Sequence, residues 1–329
     1  MTVGRCCTKI LLLPKYKLRK KKCVMKKLSL LLVCVLILSA LACFASCGAS
    51  YDDGVFKYAQ TYSKNDKSDA SYVVIEVKDK TSTELTVPET FDGLAVTKID
   101  SKAFDGCTAL KKVTISSSVT KIDASVFASC TALEEVVINA TALEQAEDMF
   151  KGLSKEVNVK IGAGVTSIPK KMFTDTESLN ISFEKGSAVK KIGEEAFKNS
   201  KVISIDLPSL EEIGSSAFEG CTSLTSISVS SADKKISLGE KAFKGCTELT
   251  NVALNASTMS SYGDSLDGCE NLSAITFAGK KDDWELKVSY STAKIGSAIP
   301  DMGKTGIFLT VTCNDGTIMY HVDGTIFKS

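Results

Sequence analysis

The chain has 329 residues, 44% of them apolar and 24% charged, a make-up that can bury a core and excludes a largely disordered chain. The formal net charge of +1 hides a division, because the first 47 residues carry ten Lys or Arg and no acid, leaving 30 basic against 39 acidic residues from Gly48 onward, a net of −9. An acidic body of this kind excludes nucleic acid as a partner, since phosphates demand a basic footprint.

In chain order, residues 1–24 read as an extension ahead of a start at Met25, because the segment beginning MKKLSLLL is already a complete export signal. The signal spans 25–47. Its basic head runs into the 17 uncharged residues Leu28 to Phe44 and then into the small-residue stretch Ala45-Ser46-Cys47-Gly48. A spanning helix needs about 20 apolar residues, so cleavage is favoured over a retained anchor. The exit Phe44-Ala45-Ser46-Cys47 resembles a bacterial lipobox, in which the Cys receives lipid and becomes the new N-terminus; this makes Cys47 the candidate lipidation site. Ala40-Leu41-Ala42-Cys43 is a second candidate, and cleavage without lipid is the alternative to both. Residues 48–70 are polar and read as a tether, and residues 71–98 as N-terminal cap strands.

From there a repeat dominates. A Phe preceded by a small or aliphatic residue recurs at Phe104, Phe127, Phe150, Phe173, Phe197, Phe218 and Phe243, with spacings of 23, 23, 23, 24, 21 and 25, and Leu266 falls in the same slot 23 residues later. An Ile stands five residues before most of these positions and a Leu six after. Next comes an alternating pair such as Val113 and Ile115, or Val136 and Ile138, the pattern of a short strand with one buried face. One such unit cannot close a core alone, so inward residues must stack on the next coil. The expectation is an α/β-type repeat solenoid of about eight coils over 99–279, with a parallel sheet along one face and small β caps. Units three to five depart from the pattern: Leu153, Thr176 and Ser200 replace the Cys found elsewhere, and residues are lost around Phe173 and Phe197, which predicts local irregularity. Residues 280–329 read as a C-terminal β cap with a hairpin around Asn314-Asp315-Gly316.

Units such as Ile99-x4-Phe104-x2-Cys107-x2-Leu110-x2-Val113-x-Ile115 resemble the BspA-like leucine-rich repeats of bacterial surface proteins. The lead-in Leu85 to Val96 and the closing segment with Trp284 and Val311 to Ile318 resemble that family's flanks. The resemblance implies a leucine-rich-repeat fold and a surface or adhesion role, and it carries over no ligand site.

The chemical inventory is sparse. Five cysteines (Cys107, Cys130, Cys221, Cys246, Cys269) share one repeat slot, and a buried ladder of thiols is favoured over a disulfide framework. No metal ligand set accompanies them. The single His, His321, has no partner for nucleophilic or zinc chemistry. The carboxylate pairs Glu134-Glu135, Glu194-Glu195 and Glu211-Glu212 sit in repeating edge positions and read as solvated, although a two-carboxylate hydrolase is a remote alternative. Trp284 reads as packing on the last coil in preference to an exposed sugar platform.

The candidate binding face is the sheet's solvent side, with Lys112, Thr114, Glu135, Asn139, Asn180, Ser182, Ser226, Ser228, Asn251, Asn255 and Thr276. It is flat, rich in hydroxyls and amides, and almost free of aromatics, which ranks a protein partner, extracellular or from a host, above a glycan. The expected protein is therefore an exported bacterial surface binding module, without catalysis or cofactor, held at the membrane by an N-terminal lipid or an uncleaved signal. A structural envelope spacer is the alternative.

Overall fold

The computed structural model describes residues 50–63, 66–153, 155–176, 178–228, 236–255, 265–282, 307–321 and 326–329. The N-terminal extension, the signal, Cys47 and Trp284 lie outside them.

The chain enters through β1 (Ser50–Asp52), β2 (Phe56–Ser63), β3 (Asp66–Val77), β4 (Glu84–Thr86), β5 (Thr90–Phe91) and β6 (Leu94–Ile99). The coils then alternate a longer strand with a two-residue one. These are β7 (Lys112–Ile115), β8 (Lys121–Ile122), β9 (Glu135–Ile138), β10 (Val157–Ile161), β11 (Ser167–Ile168), β12 (Leu179–Phe183), β13 (Lys191–Ile192) and β14 (Ser204–Asp206). They continue as β15 (Glu212–Ile213), β16 (Ser226–Ser228), β17 (Ser237–Leu238), β18 (Asn251–Asn255) and β19 (Ala274–Ala278), and the chain ends with β20 (Ile307–Cys313), β21 (Gly316–His321) and β22 (Ile326–Lys328).

Neighbouring coils are held together in up to three places. The longer strands form parallel sheets in the order β12-β10-β9-β7-β4 and β14-β16-β18-β19-β20-β21-β22, and the two-residue strands form a second ladder, β11-β13-β15-β17. The third place is the corner around the Phe, where the N–H groups of Glu195, Phe197 and Asn199 donate to Ser215, Ala217 and Glu219 of the next coil at 2.8–3.0 Å. Between these ladders the buried Val, Ile, Leu and Cys positions stack coil on coil. The Phe rings make a continuous column from Phe104 to Phe243, with neighbouring centroids 5.1–5.9 Å apart.

Two expectations are corrected. The α/β character is absent among the described residues, where helix is confined to Lys281 and Asp282. The cause lies in the corner: the residue two before the Phe has positive φ at Ser125, Asp148, Lys171, Glu195, Ser216 and Lys241, and the residue two after the Phe, or after Leu266 in its slot, does so at Gly106, Gly152, Asp175, Asn199, Gly220, Gly245 and Gly268. A right-handed helix cannot pass through a left-handed residue, so each corner is a pair of turns.

The polar tether is the second correction, because residues 50–52, 56–63 and 66–70 belong to strands. Beginning at β1, the chain makes an antiparallel β1-β2-β3 sheet that continues in parallel into β6. Phe56, Tyr58, Tyr72, Val74 and Val77 are buried, and the Tyr58 ring stacks on Phe91 at a centroid distance of 4.2 Å. The polar residues between them form the outer face of a hairpin whose inner face covers the first coil's apolar end. At the other end β20 pairs in parallel with β19, then antiparallel with β21 around Asn314 and Asp315, and β21 pairs antiparallel with β22.

Candidate binding face

Parallel register turns the alternation of each strand into rows of outward side chains. One row runs Lys112, Glu135, Asn158, Asn180 and a second runs Thr114, Val137, Lys160, Ser182. In the other sheet Ser226 aligns with Asn251 and Ala274, and Ser228 with Ala253 and Thr276. Asn139 follows β9 directly, and Asn255 ends β18 opposite Ala278.

These rows are partly satisfied from within. Lys112 Nζ lies 3.0 Å from Glu135 Oε2, and Lys160 Nζ lies 2.8 Å from Glu184 Oε1. Asn180 donates to Glu156 at 3.0 Å and to Asn158 at 3.2 Å. The Lys160 ammonium and the Ala163 N–H hold the Glu184 carboxyl below its ordinary range. Such fixed side chains lose less entropy on docking than free ones.

The structure does not bring all the expected residues together. β12 and β14 belong to separate sheets, so Lys112 to Ser182 occupy one half-face and Ser226 to Thr276 the other. Around this opening the remaining ties persist. Phe173 donates to Ala196 at 2.8 Å, β11 pairs with β13, and the Phe173 and Phe197 rings stack at 5.1 Å. Phe183, at the end of β12, leans toward Phe197 with centroids 6.4 Å apart.

Immediately before β14, Ile203 is 63% exposed, while its neighbour Val202 is buried. The fifth coil lacks one residue after Phe197, so Val202 takes the slot that Leu fills elsewhere and Ile203 is turned out. Sequence reasoning noted the lost residue without seeing this consequence. The signal was the spacing from Val202, not from Phe197, to the buried Ile205 and Leu207.

A second surface was also missed. Over the β11-β13-β15-β17 ladder lies a groove of about 910 Å³, bordered by Ile168, Pro169, Lys191, Gly193, Glu212 and Gly214. Its depth comes from Gly193, Gly214 and Gly239. A Cβ on Gly193 or Gly214 would meet the backbone of Lys170 or Glu194 at 2.5 or 2.6 Å. No side chain fits there.

The remaining chemistry is structural. The six described cysteines are buried, Cys107, Cys130, Cys221, Cys246 and Cys269 as free thiols, and Cys221, Cys246 and Cys269 each donate a thiol proton to the Phe carbonyl of the preceding coil at 2.9, 3.0 and 3.1 Å. Contacts with the Cys221 and Cys269 thiols, together with burial, push the Cys246 thiol far up. The carboxylate pairs meet lysines of neighbouring coils, as in Lys191–Glu212 at 2.8 Å and Lys111–Glu134 at 3.4 Å. His321 packs its ring 5.0 Å from Phe327. Among the described residues no group of three or more His, Cys, Asp or Glu is arranged to hold a metal.

The BspA type leucine rich repeat region family matches the chain in six copies, over residues 79–189 and 179–295. No curated protein matches. Among solved structures, a leucine rich repeat protein of T. pallidum is similar at 24% identity over 61% of this chain and 91% of its own, with a TM-score of 0.44. A leucine rich cell surface protein of Faecalibacterium prausnitzii is similar at 16% identity over 74% of this chain and 98% of its own, with a TM-score of 0.29. A leucine-rich repeat protein of Bacteroides ovatus is similar at 20% identity over 69% and 76%, with a TM-score of 0.26. With its repeat matched from the β4 lead-in to the last coil, the chain belongs to the BspA-type leucine-rich-repeat family.

Proposed function

We propose that the protein is an exported cell-surface binding module, and that it engages a protein partner through the long-sheet face on either side of the opening between β12 and β14. The observation that carries this is Ile203. Among the described residues, the other strongly exposed large apolar side chains (Tyr51, Val55, Tyr62, Ile326, Phe327) belong to the terminal segments, whereas Ile203 stands alone in the coils, directly before β14, the edge strand of the half-face that carries Ser226, Asn251 and Thr276. An apolar anchor in a polar surround is the usual energetic centre of a protein contact. Solenoids generally present extended surfaces to protein partners, which supports the same reading. Surface location rests on the export signal, with Cys47 as the proposed lipid attachment point.

The test displays the full chain on cells and measures capture of purified matrix and host-surface proteins, comparing it with Ile203→Asp and with Lys112→Glu. Ile203 is exposed, so its replacement leaves the fold intact. A partner bound by the native chain and lost in Ile203→Asp supports the proposal; retention by both variants removes the face from it. Release of the chain from membranes by Cys47→Ala tests the anchor separately.

A further inference from the structure

A second site lies where the N-terminal hairpin meets the first coils. A cavity of about 610 Å³ is walled on one side by Tyr62 of β2 and floored by Lys98 of β6, Lys121 of β8 and the following Asp123, Glu144 and Gln145, which come from successive coils. That volume suits a small ligand. Tyr62 is 54% exposed, more than any other large aromatic side chain among the described residues. It stands apart from the buried packing of Tyr58, Tyr72 and Phe91. The β2-β3 register shifts between Thr61 and Ser63, at Tyr62 itself. Bulges of this kind re-aim a side chain and recur beside binding sites.

Part of the floor is fixed before any ligand arrives. Lys98 Nζ holds Asp123 Oδ2 at 2.9 Å, with both side chains about one-third exposed. Thr97 Oγ1 donates to Ser71 Oγ at 2.9 Å, and the Glu144 and Gln145 N–H groups both donate to the Thr120 carbonyl, at 2.8 and 3.2 Å. The cavity is thus lined by one exposed aromatic ring together with carboxylate, amide, hydroxyl and ammonium groups, of which Asp123, Lys98, Thr97 and Ser71 are already held in place. Its ionisable lining, Asp69, Asp123 and Glu144 against Lys98 and Lys121, carries a net charge of −1, which disfavours phosphates and acidic sugars. A peptide would want apolar side-chain pockets, and this lining is mainly polar.

We propose that this cavity binds a neutral pyranose unit of a glycan. The Tyr62 ring covers the sugar's apolar C–H face, Asp123 accepts from ring hydroxyls, Lys121 donates to them, and Gln145 does either. The site is separate from the long-sheet face and does not depend on that face having a protein partner.

The experiment uses the full-length chain in a sugar-free detergent and follows saturation-transfer NMR and titration calorimetry with methyl glycosides of glucose, galactose, mannose and N-acetylglucosamine, with inorganic phosphate as the anionic probe. At least one neutral glycoside is expected to bind. Tyr62→Ala should weaken that binding by about tenfold or more, a loss that Tyr62→Phe does not share, and Asp123→Asn should weaken it comparably. Because Tyr62 is exposed, thermal melts of its variants should match the native chain. Failure of every glycoside to bind, equal binding by Tyr62→Ala, or displacement of the glycoside by phosphate would each overturn the proposal.

Discussion

Phe197 carries the logic of the repeat in one side chain. It is fully buried, its ring lies 5.1 Å from both Phe173 and Phe218, and its backbone ties it to the following coil, the N–H donating to the Ala217 carbonyl and the carbonyl accepting the Cys221 thiol. Phe197→Ala would leave a void that stacked backbones cannot close, and should cost about 3–5 kcal/mol in urea unfolding. Cys130 allows a different test at the same scale. Burial, followed by the neighbouring Cys107, pushes its thiol from an ordinary 9.0 up to about 12. The folded chain therefore keeps a proton that the unfolded chain loses. Stability from this group is fully present below pH 9.0 and is lost as pH rises toward about 12. Cys130→Ala should flatten that alkaline decline. Urea midpoints at about pH 8 and about pH 11 measure it, and an unchanged slope would show that other groups govern it.

At the scale of the element, the coil was readable from the sequence because its signals are periodic: the Phe, Ile, Leu and Cys slots are the ones that must face inward and stack. Three features were not readable in this way. The αL residues of the corner are Ser, Asp, Lys and Glu as often as Gly, so composition gives no sign of the turns that replace a helix. The entry hairpin hides its buried Phe56, Tyr58 and Tyr72 among polar neighbours, and it is held by pairing far along the chain. The shift at Val202 depends on which of two adjacent apolar residues reaches the core, which a fixed count from Phe197 assigns to the wrong one. That shift can be tested: Val202→Ala should cost about 2 kcal/mol, while Ile203→Ala should stay within about 0.5 kcal/mol. Gly214 tests the close approach of the short ladder. A Cβ there would meet Glu194 N at 2.6 Å and Gly193 C at 2.7 Å, both backbone. Gly214→Ala should lower stability by about 1–3 kcal/mol, seen as a lower melting temperature, whereas accommodation without loss would mean that the coils can slide apart.

The whole solenoid behaves as a row of coils whose stability is the sum of each coil and its contacts with neighbours. At most junctions those contacts include long-sheet hydrogen bonds, a short ladder or a corner ladder, and the ring column. Between the coils of β12 and β14 the long-sheet contribution is missing, while the corner bonds, the β11-β13 pair and the Phe173–Phe197 stack remain. Phe183 fills only part of the opening, since its own side chain stays partly exposed. A junction with fewer ties is where cooperativity in a repeat array gives way first. The opening is also where the proposed partner face carries its apolar anchor, so a partner spanning both half-faces would supply the missing tie. Native-state hydrogen exchange should therefore divide the coils into two cooperative blocks, with the boundary between Phe183 and Ser204, and amides of β14 should exchange faster than the corresponding amides of β9. One uniform opening free energy across β7 to β19 would show instead that the corner and the ring column suffice to couple the coils, and that the gap in the sheet has no energetic consequence.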